Sequence, residues 1–208
     1  LSDDVVKLYK KLKKELLLEF KEGRVTVANA ATKCTKLLQV TAGGIKDENG
    51  EVISLPCKDK IDEIIDLYNE NGQRPTIVSA VFTASINTLV KELKKRKYRV
   101  DYIDGSRSGG ARGLTVKAFQ EEQLDFLILH PASASHGLTL TASNLLINFT
   151  PVYSNELSEQ LHARIIRPGQ TRTQLIVNLI STPTEKRFFE ALKNKQNMSN
   201  TIMAEFTA

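Results

Sequence analysis

The sequence predicts an α/β protein: a mostly parallel sheet with helices on its faces, preceded by a helical segment. Three observations carry this. After Arg74-Pro75 the segments TIVSAVF, YRVDYI, LDFLIL, NLLINF and TQLIVNLI read as short, apolar or β-branched strands. The stretches between several of them have helical length and composition, and strands alternating with helices build parallel sheets through right-handed crossovers. Before Arg74 the chain is mainly amphipathic helix.

Taken in order, Ser2 can cap a first helix in which Val5, Val6, Leu8, Tyr9, Leu12 and Leu16 to Leu18 recur near helical period among lysines. A second helix, within VTVANAATKCTKLLQV, places Val27, Ala30, Ala31, Cys34, Leu37 and Leu38 on one face and stops at Gly43-Gly44. KDENGEV reads as a polar loop with a turn at Asn49-Gly50. A third helix fits Lys58 to Asn71, with Ile61, Ile64, Ile65 and Tyr68 inward. The expected division is therefore a helical segment, 1–72, packing on a lobe, 73–208. A closing helix begins near Thr184.

With 208 residues the chain can bury a substantial core. A net charge of +5 suits a phosphate-bearing partner without requiring one. Cys34 and Cys57 have no neighbouring ligands at zinc spacing, so reduced thiols in a cytosolic protein and no metal site are expected. No signal peptide or membrane-length apolar run is present, and a start at Leu1 suggests a piece of a longer chain.

In parallel sheets ligands bind at the carboxyl ends of the strands. Those ends read FTAS, DGSRSGGARG, HPASASHG and TPVYSNE. The second contains G-x-x-x-x-G from Gly105 to Gly110, but Ala111 and Arg112 stand where a P-loop needs Lys and Ser or Thr, so a turn into a helix is expected. Asp62-Glu63 lies on a helix rather than at a strand end and reads as solvated surface, not a magnesium pair. The lysine runs KKLKK and KELKKRK read as solvated helix faces. His130, His136 and His162 share no ligand spacing.

The helix Tyr153 to Arg167 has an apolar stripe, Leu157, Leu161 and Ile165, and beside it a second stripe of Gln160, Arg164 and Arg167. Spacing alone leaves two readings open. Cations near a helix C-terminus complement its dipole by ~0.3 to 1 kcal/mol, or three long donors are aimed at a ligand.

QLHARIIR resembles Q-x-x-G-R-x-x-R, the sixth motif of superfamily-two helicases, with Ala163 in place of Gly. Its continuation to Gly169-Gln170 resembles the Swi/Snf-type branch of DNA translocases. TIVSAVFTASINTLVKEL, DYIDGS with Arg112 and Ala118-Phe119, and ILHPASASHGLTLTASNLLINF resemble the family's other motifs, in the family's order. Ala134-Ser135 replaces a frequent glycine pair and Tyr153 a frequent Trp. HPASASHGLTL and YSNEL are most similar to phage and prophage enzymes.

The resemblance implies a RecA-like C-terminal lobe, 73–208, that works opposite an N-terminal RecA-like lobe of the same polypeptide. It implies ATP with Mg²⁺, both held mainly by that first lobe, since no Walker A sequence or strand-borne acidic pair is present here. The chain alone would then be inactive, as part of a DNA-dependent ATPase of the bacterial or phage-infected cytosol. Arg167 would be the arginine finger, Arg164 a second phosphate contact, and Gln160 and Gly137 would lie at the nucleotide cleft. Phe82, Thr83, Ser85, Ser106, Ser133, Thr139 and Thr141 would contact the backbone of double-stranded DNA. The rival expectation is a non-catalytic RecA-like scaffold or nucleic-acid-binding module.

Overall fold

The computed structural model describes residues 1–21, 27–46, 51–136, 138–166, 172–197, 200–202 and 204. By their contacts they form two compact units, Leu1–Asp59 with Ile180–Ala208, and Lys60–Leu179.

In the first unit, α1 (Asp3–Lys21) and α2 (Val27–Thr41) pack together, and α7 (Pro183–Lys193) packs on α2. The predicted stripes supply the burial: Val5, Tyr9 and Leu16 from α1, and Ala30, Cys34, Leu37 and Leu38 from α2. Leu18 is exposed, because the run Leu16 to Leu18 is wider than one helical face. α7 starts at a cap in which Thr182 accepts from the Glu185 N–H at 3.3 Å, while the Glu185 carboxylate accepts from the Ser181 N–H at 2.7 Å. The hydroxyl of Thr41 donates to the same carboxylate at 2.7 Å, so a fully buried Glu185 is held by three hydrogen-bond donors or more.

One expectation is corrected here. The segment read as a polar loop is flanked by two paired strands, β1 (Gly44–Lys46) and β2 (Val52–Ser54), joined antiparallel. The turn expected at Asn49-Gly50 lies outside the described residues. Each strand has three residues, too few for alternation to show. Gly43 enters this hairpin with φ +86°, the left-handed region open to glycine.

The second unit holds α3 (Lys58–Glu70), most of which belongs here, and a five-stranded, wholly parallel sheet. Its strands are β3 (Thr76–Ser79), β4 (Val100–Ile103), β5 (Phe126–Leu129), β6 (Leu145–Asn148) and β7 (Leu175–Asn178), in the order β4-β5-β3-β6-β7. The register is continuous: Thr76 pairs with both Phe126 and Leu145, and these with Val100 and Leu175. β3, β5 and β6 are buried throughout, the mark of inner strands covered on both faces. The fold class expected from the sequence is therefore present.

Helices α4 (Thr83–Lys95), α5 (Gly109–Gln120) and α6 (Asn155–Ile165) follow β3, β4 and β6. Leu161 and Ile165 of α6 join Ile77, Ile103, Leu127, Leu129 and Leu146 of the sheet in one core, with Phe119 of α5. Two of the three residues predicted to anchor α6 are thus in the core, while Leu157, one turn earlier, is half-buried.

The amino ends of the strands are tied shut. Asp125, just before β5, accepts from the Arg99 N–H at 2.7 Å, from the Arg99 guanidinium at 2.5 Å and from the Tyr68 hydroxyl at 3.1 Å. Burial works to raise the Asp125 carboxyl, but these donors hold it below its ordinary value. Burial, with Asp125 beside it, pushes the Tyr68 phenol up to about 12. Asp62 pairs with Arg96 at 2.5 Å and Glu63 is exposed, both on α3.

Candidate functional site

At the opposite, carboxyl ends of β4, β5 and β3, three neighbouring strands, the second unit opens a cleft of about 710 Å³. Thr83 and Asn87 of α4 line it, with Tyr102 of β4, Asp104 to Ser106 just after it, Arg112 of α5, and His130, Ala132 and Ser133 after β5.

Local sequence explains each wall. α4 follows its N-cap residue Phe82, whose extended backbone supplies no side-chain cap bond. Beyond β4, Asp104 accepts from the Ser106 N–H at 2.9 Å and from its hydroxyl at 2.6 Å, a tight turn made by DGS. Ser108 then caps α5, accepting from the Ala111 N–H at 3.4 Å. The Gly-rich stretch is thus a turn and a helix start, and Gly105 and Gly110 are not among the positive-φ glycines. Beyond β5 the chain forms a 3₁₀ turn, Pro131–His136, in which Ala132 N–H donates to His130 Nδ1 at 3.3 Å.

Two arginines border this loop and differ in kind. Arg107 is committed: it meets Asp101 through both terminal nitrogens, donates to the Thr115 hydroxyl at 2.9 Å, and stacks on Tyr102 with its guanidinium carbon 4.1 Å from the ring centre. Arg112 is not. Among the described residues its buried Nε has no partner, and its guanidinium makes a long 3.5 Å contact to the Arg107 carbonyl.

Of the DNA-contact residues expected from sequence, Thr83, Ser106 and Ser133 are brought together in this cleft, and Phe82 sits at its rim as the α4 N-cap. Ser85 is not with them: it is fully buried, two residues from Thr83 and so on the far side of the helix. Thr141 accepts from the Gln120 amide at 3.0 Å and Thr139 is exposed; neither lines the cleft. Asn87, Arg112 and His130 do line it and were not singled out as ligands. The i, i+4 spacing of Asn87 from Thr83 was the available signal.

α6 packs on the 3₁₀ turn that forms one wall of the cleft. Ser154 caps it, accepting from the Leu157 N–H at 3.3 Å. Gln160 and Arg164 lie one turn apart and half-buried; Gln160 donates to Glu156 at 3.0 Å, and both Gln160 Oε1 and Arg164 Nε are buried without a partner. A buried guanidinium nitrogen left without a partner costs stability unless a ligand fills it. Burial pushes the neighbouring His162 below its ordinary value, with Glu159 opposing. Arg167 and Gly137 lie outside the described residues.

Among the described residues no group of His, Cys, Asp and Glu could hold a metal ion, and no helix is long and apolar enough to cross a membrane.

Residues 59–169 match the family described as helicase conserved C-terminal domain. The chain is 26% identical over 203 residues to protein p41 of Acyrthosiphon pisum secondary endosymbiont phage 1, covering 95% of the chain and 42% of p41. It is 26% identical over 148 residues to the DNA repair and recombination protein RAD54-like of Homo sapiens, covering 70% of the chain and 20% of that protein. The chain thus spans less than half the length of these relatives. Two solved structures share the fold. The Sulfolobus solfataricus SWI2/SNF2 ATPase core in complex with dsDNA superposes over 100% of this chain and 46% of that one, with TM-score 0.76 and 18% identity. The C-terminal part of the Fun30 ATPase domain covers 71% of this chain and 52% of that one, with TM-score 0.62 and 23% identity.

Proposed function

Since the chain belongs to the helicase conserved C-terminal domain family, we propose that it is the second motor lobe of an ATP-dependent, Swi/Snf-type DNA translocase. The lobe has two tasks in this reading. α6 presents Gln160 and Arg164 to ATP and Mg²⁺ held mainly by an N-terminal RecA-like lobe, Arg167, two residues beyond it in sequence, serves as the arginine finger, and the strand-end cleft holds the DNA backbone. The segment 1–72 serves as the helical lead-in to the lobe, 73–208, and the enzyme works in the cytosol of a bacterium or phage-infected host.

One observation carries the nucleotide half: Gln160 Oε1 and Arg164 Nε, on one face of α6, are buried polar atoms with no partner among the described residues. The Arg164 Nε–H, a donor, fits an anion arriving from outside, and Gln160 Oε1, an acceptor, fits a hydrogen-bond donor beside that anion. ATP, when bound, supplies a γ-phosphoryl group whose transfer spreads negative charge over its oxygens. Arg164 and Arg167 neutralise that charge, Gln160 orients the polar edge, and Leu161 and Ile165 hold the helix rigid while they do so.

The DNA half rests on the chemistry of the cleft. Hydroxyls of Thr83, Ser106 and Ser133 and the Arg112 guanidinium bind phosphate without reading bases. Such contacts suit a motor indifferent to sequence.

The test is made in a two-lobed polypeptide carrying this lobe. Arg167→Ala, and separately Arg164→Ala, should lower DNA-stimulated ATP hydrolysis by on the order of 10³-fold or more, with the melting temperature nearly unchanged. Hydrolysis retained in both variants would overturn the assignment and favour a non-catalytic nucleic-acid-binding module.

A further inference from the structure

The exposed face of α4 continues the cleft. Its exposed positions are Thr83, Asn87, Lys91, Lys94 and Lys95. At 100° per residue these fall within one third of the helix circumference, because i, i+4, i+8 and i+11 return to the same side. The opposite side, Ser85, Ile86, Leu89 and Leu93, is buried. Thr83 and Asn87 already line the cleft, so the three lysines extend the same line along the helix, away from the strand ends.

No acidic side chain interrupts the stripe. Glu92, the acid of this helix, is half-buried and lies about 60° from Lys95 and about 100° or more from the other stripe positions. Among the described residues Lys91, Lys94 and Lys95 meet no carboxylate within salt-bridge distance, whereas the adjoining Arg96 is paired with Asp62. Three like charges on one face repel one another by a few tenths of a kcal/mol per i,i+4 pair. A solvated face gains nothing from that arrangement; a polyanion does.

We propose that Lys91, Lys94 and Lys95 form a phosphate track that prolongs the strand-end cleft along α4, so that duplex DNA held at Thr83 and Ser106 runs on over the helix. The proposal rests on the reading of the cleft as a DNA-backbone site. From Thr83 to Lys95 the helix is about 18 Å long at ~1.5 Å per residue. That length accommodates several consecutive phosphates at about 3.4 Å of rise each. Lysines on flexible stems suit a surface along which the duplex must slide, since they make point-charge contacts with no fixed geometry.

The experiment is a salt titration of the binding of this chain to a short fluorescein-labelled DNA duplex, followed by anisotropy. The variant Lys91→Gln/Lys94→Gln/Lys95→Gln is compared with Lys7→Gln/Lys11→Gln/Lys14→Gln, which removes equal charge from exposed positions of α1. Each phosphate contact contributes about 0.9 to the slope of log K against log salt. The α4 variant should therefore flatten the slope by about 2 to 3, and the α1 variant should leave it nearly unchanged. Equal effects from the two variants, or none from α4, would overturn the track while leaving the cleft standing, provided Arg112→Gln still weakens binding. Absence of salt-dependent binding by the unaltered chain would overturn cleft and track together. An RNA duplex bound more tightly, with the same lysine dependence, would overturn DNA as the partner.

Discussion

Arg107 donates to both carboxylate oxygens of Asp101, at 2.5 and 3.1 Å, across the mouth of the turn that follows β4. The Thr115 hydroxyl donates to the same carboxylate at 2.5 Å, so strand, turn and helix α5 meet at one acid. Holding that turn rigid sets the position of Ser106 and of Arg112, the two groups it contributes to the cleft.

Acid should loosen this joint. Burial works to raise the Asp101 carboxyl, but hydrogen bonds from Thr115, Arg107 and the Tyr102 N–H hold it below its ordinary value. A carboxyl lowered on folding contributes stability that is fully present above its unfolded value, about 3.9, and is lost as pH falls through the folded value. Asp101→Asn should cost about 1 to 3 kcal/mol near neutral pH. Urea titrations repeated below about pH 4 should show that difference shrinking. A cost that stays constant across the titration would mean the charge contributes nothing.

Arg112 should behave in the opposite way to Arg107. Its Nε has no partner among the described residues, so Arg112→Gln should change stability by no more than about 0.5 kcal/mol. The same change should reduce the salt slope of duplex binding by about 1, one phosphate contact. Urea melts and anisotropy on the same preparation separate the two effects. Destabilisation comparable to that of Arg107→Gln would assign Arg112 to the scaffold.

Gly43 tests the first unit. A Cβ there would lie 2.8 Å from Cys57 Sγ, on a backbone with φ +86°. Gly43→Ala should lower stability by more than about 1 kcal/mol, part strain and part collision. Adding Cys57→Ala should recover the collision but not the strain, so thermal melts of the double variant should fall between the two. Full recovery would show that the backbone conformation costs nothing.

The five strands of the sheet were legible because inner parallel strands, covered on both faces, read as unbroken apolar runs. Their lengths were not. TIVSAVF reads as seven strand residues, yet β3 ends at Ser79: Ala80 still donates to the Leu129 carbonyl at 3.1 Å, but Val81 turns to the Thr150 hydroxyl at 3.0 Å and Phe82 becomes the N-cap of α4. The β1–β2 hairpin left no period to detect. In the cleft, hydroxyls at strand ends were legible from position alone, but Ser85 shares composition with Thr83 and not its helix face. Asn87 and His130 belong to no motif and needed the fold to bring them beside Arg112.

β7 differs from its neighbours in the sheet. It is hydrogen-bonded to β6 on one side, and Leu175 and Ile176, on opposite faces, are 45% and 37% exposed. A greasy, unshielded rim of this kind is a template for adventitious strand pairing and aggregation. Purification of this chain on its own therefore has to contend with self-adhesion at one margin of the sheet. A single lysine in place of Leu175 is the conservative remedy, since nature blunts such margins the same way.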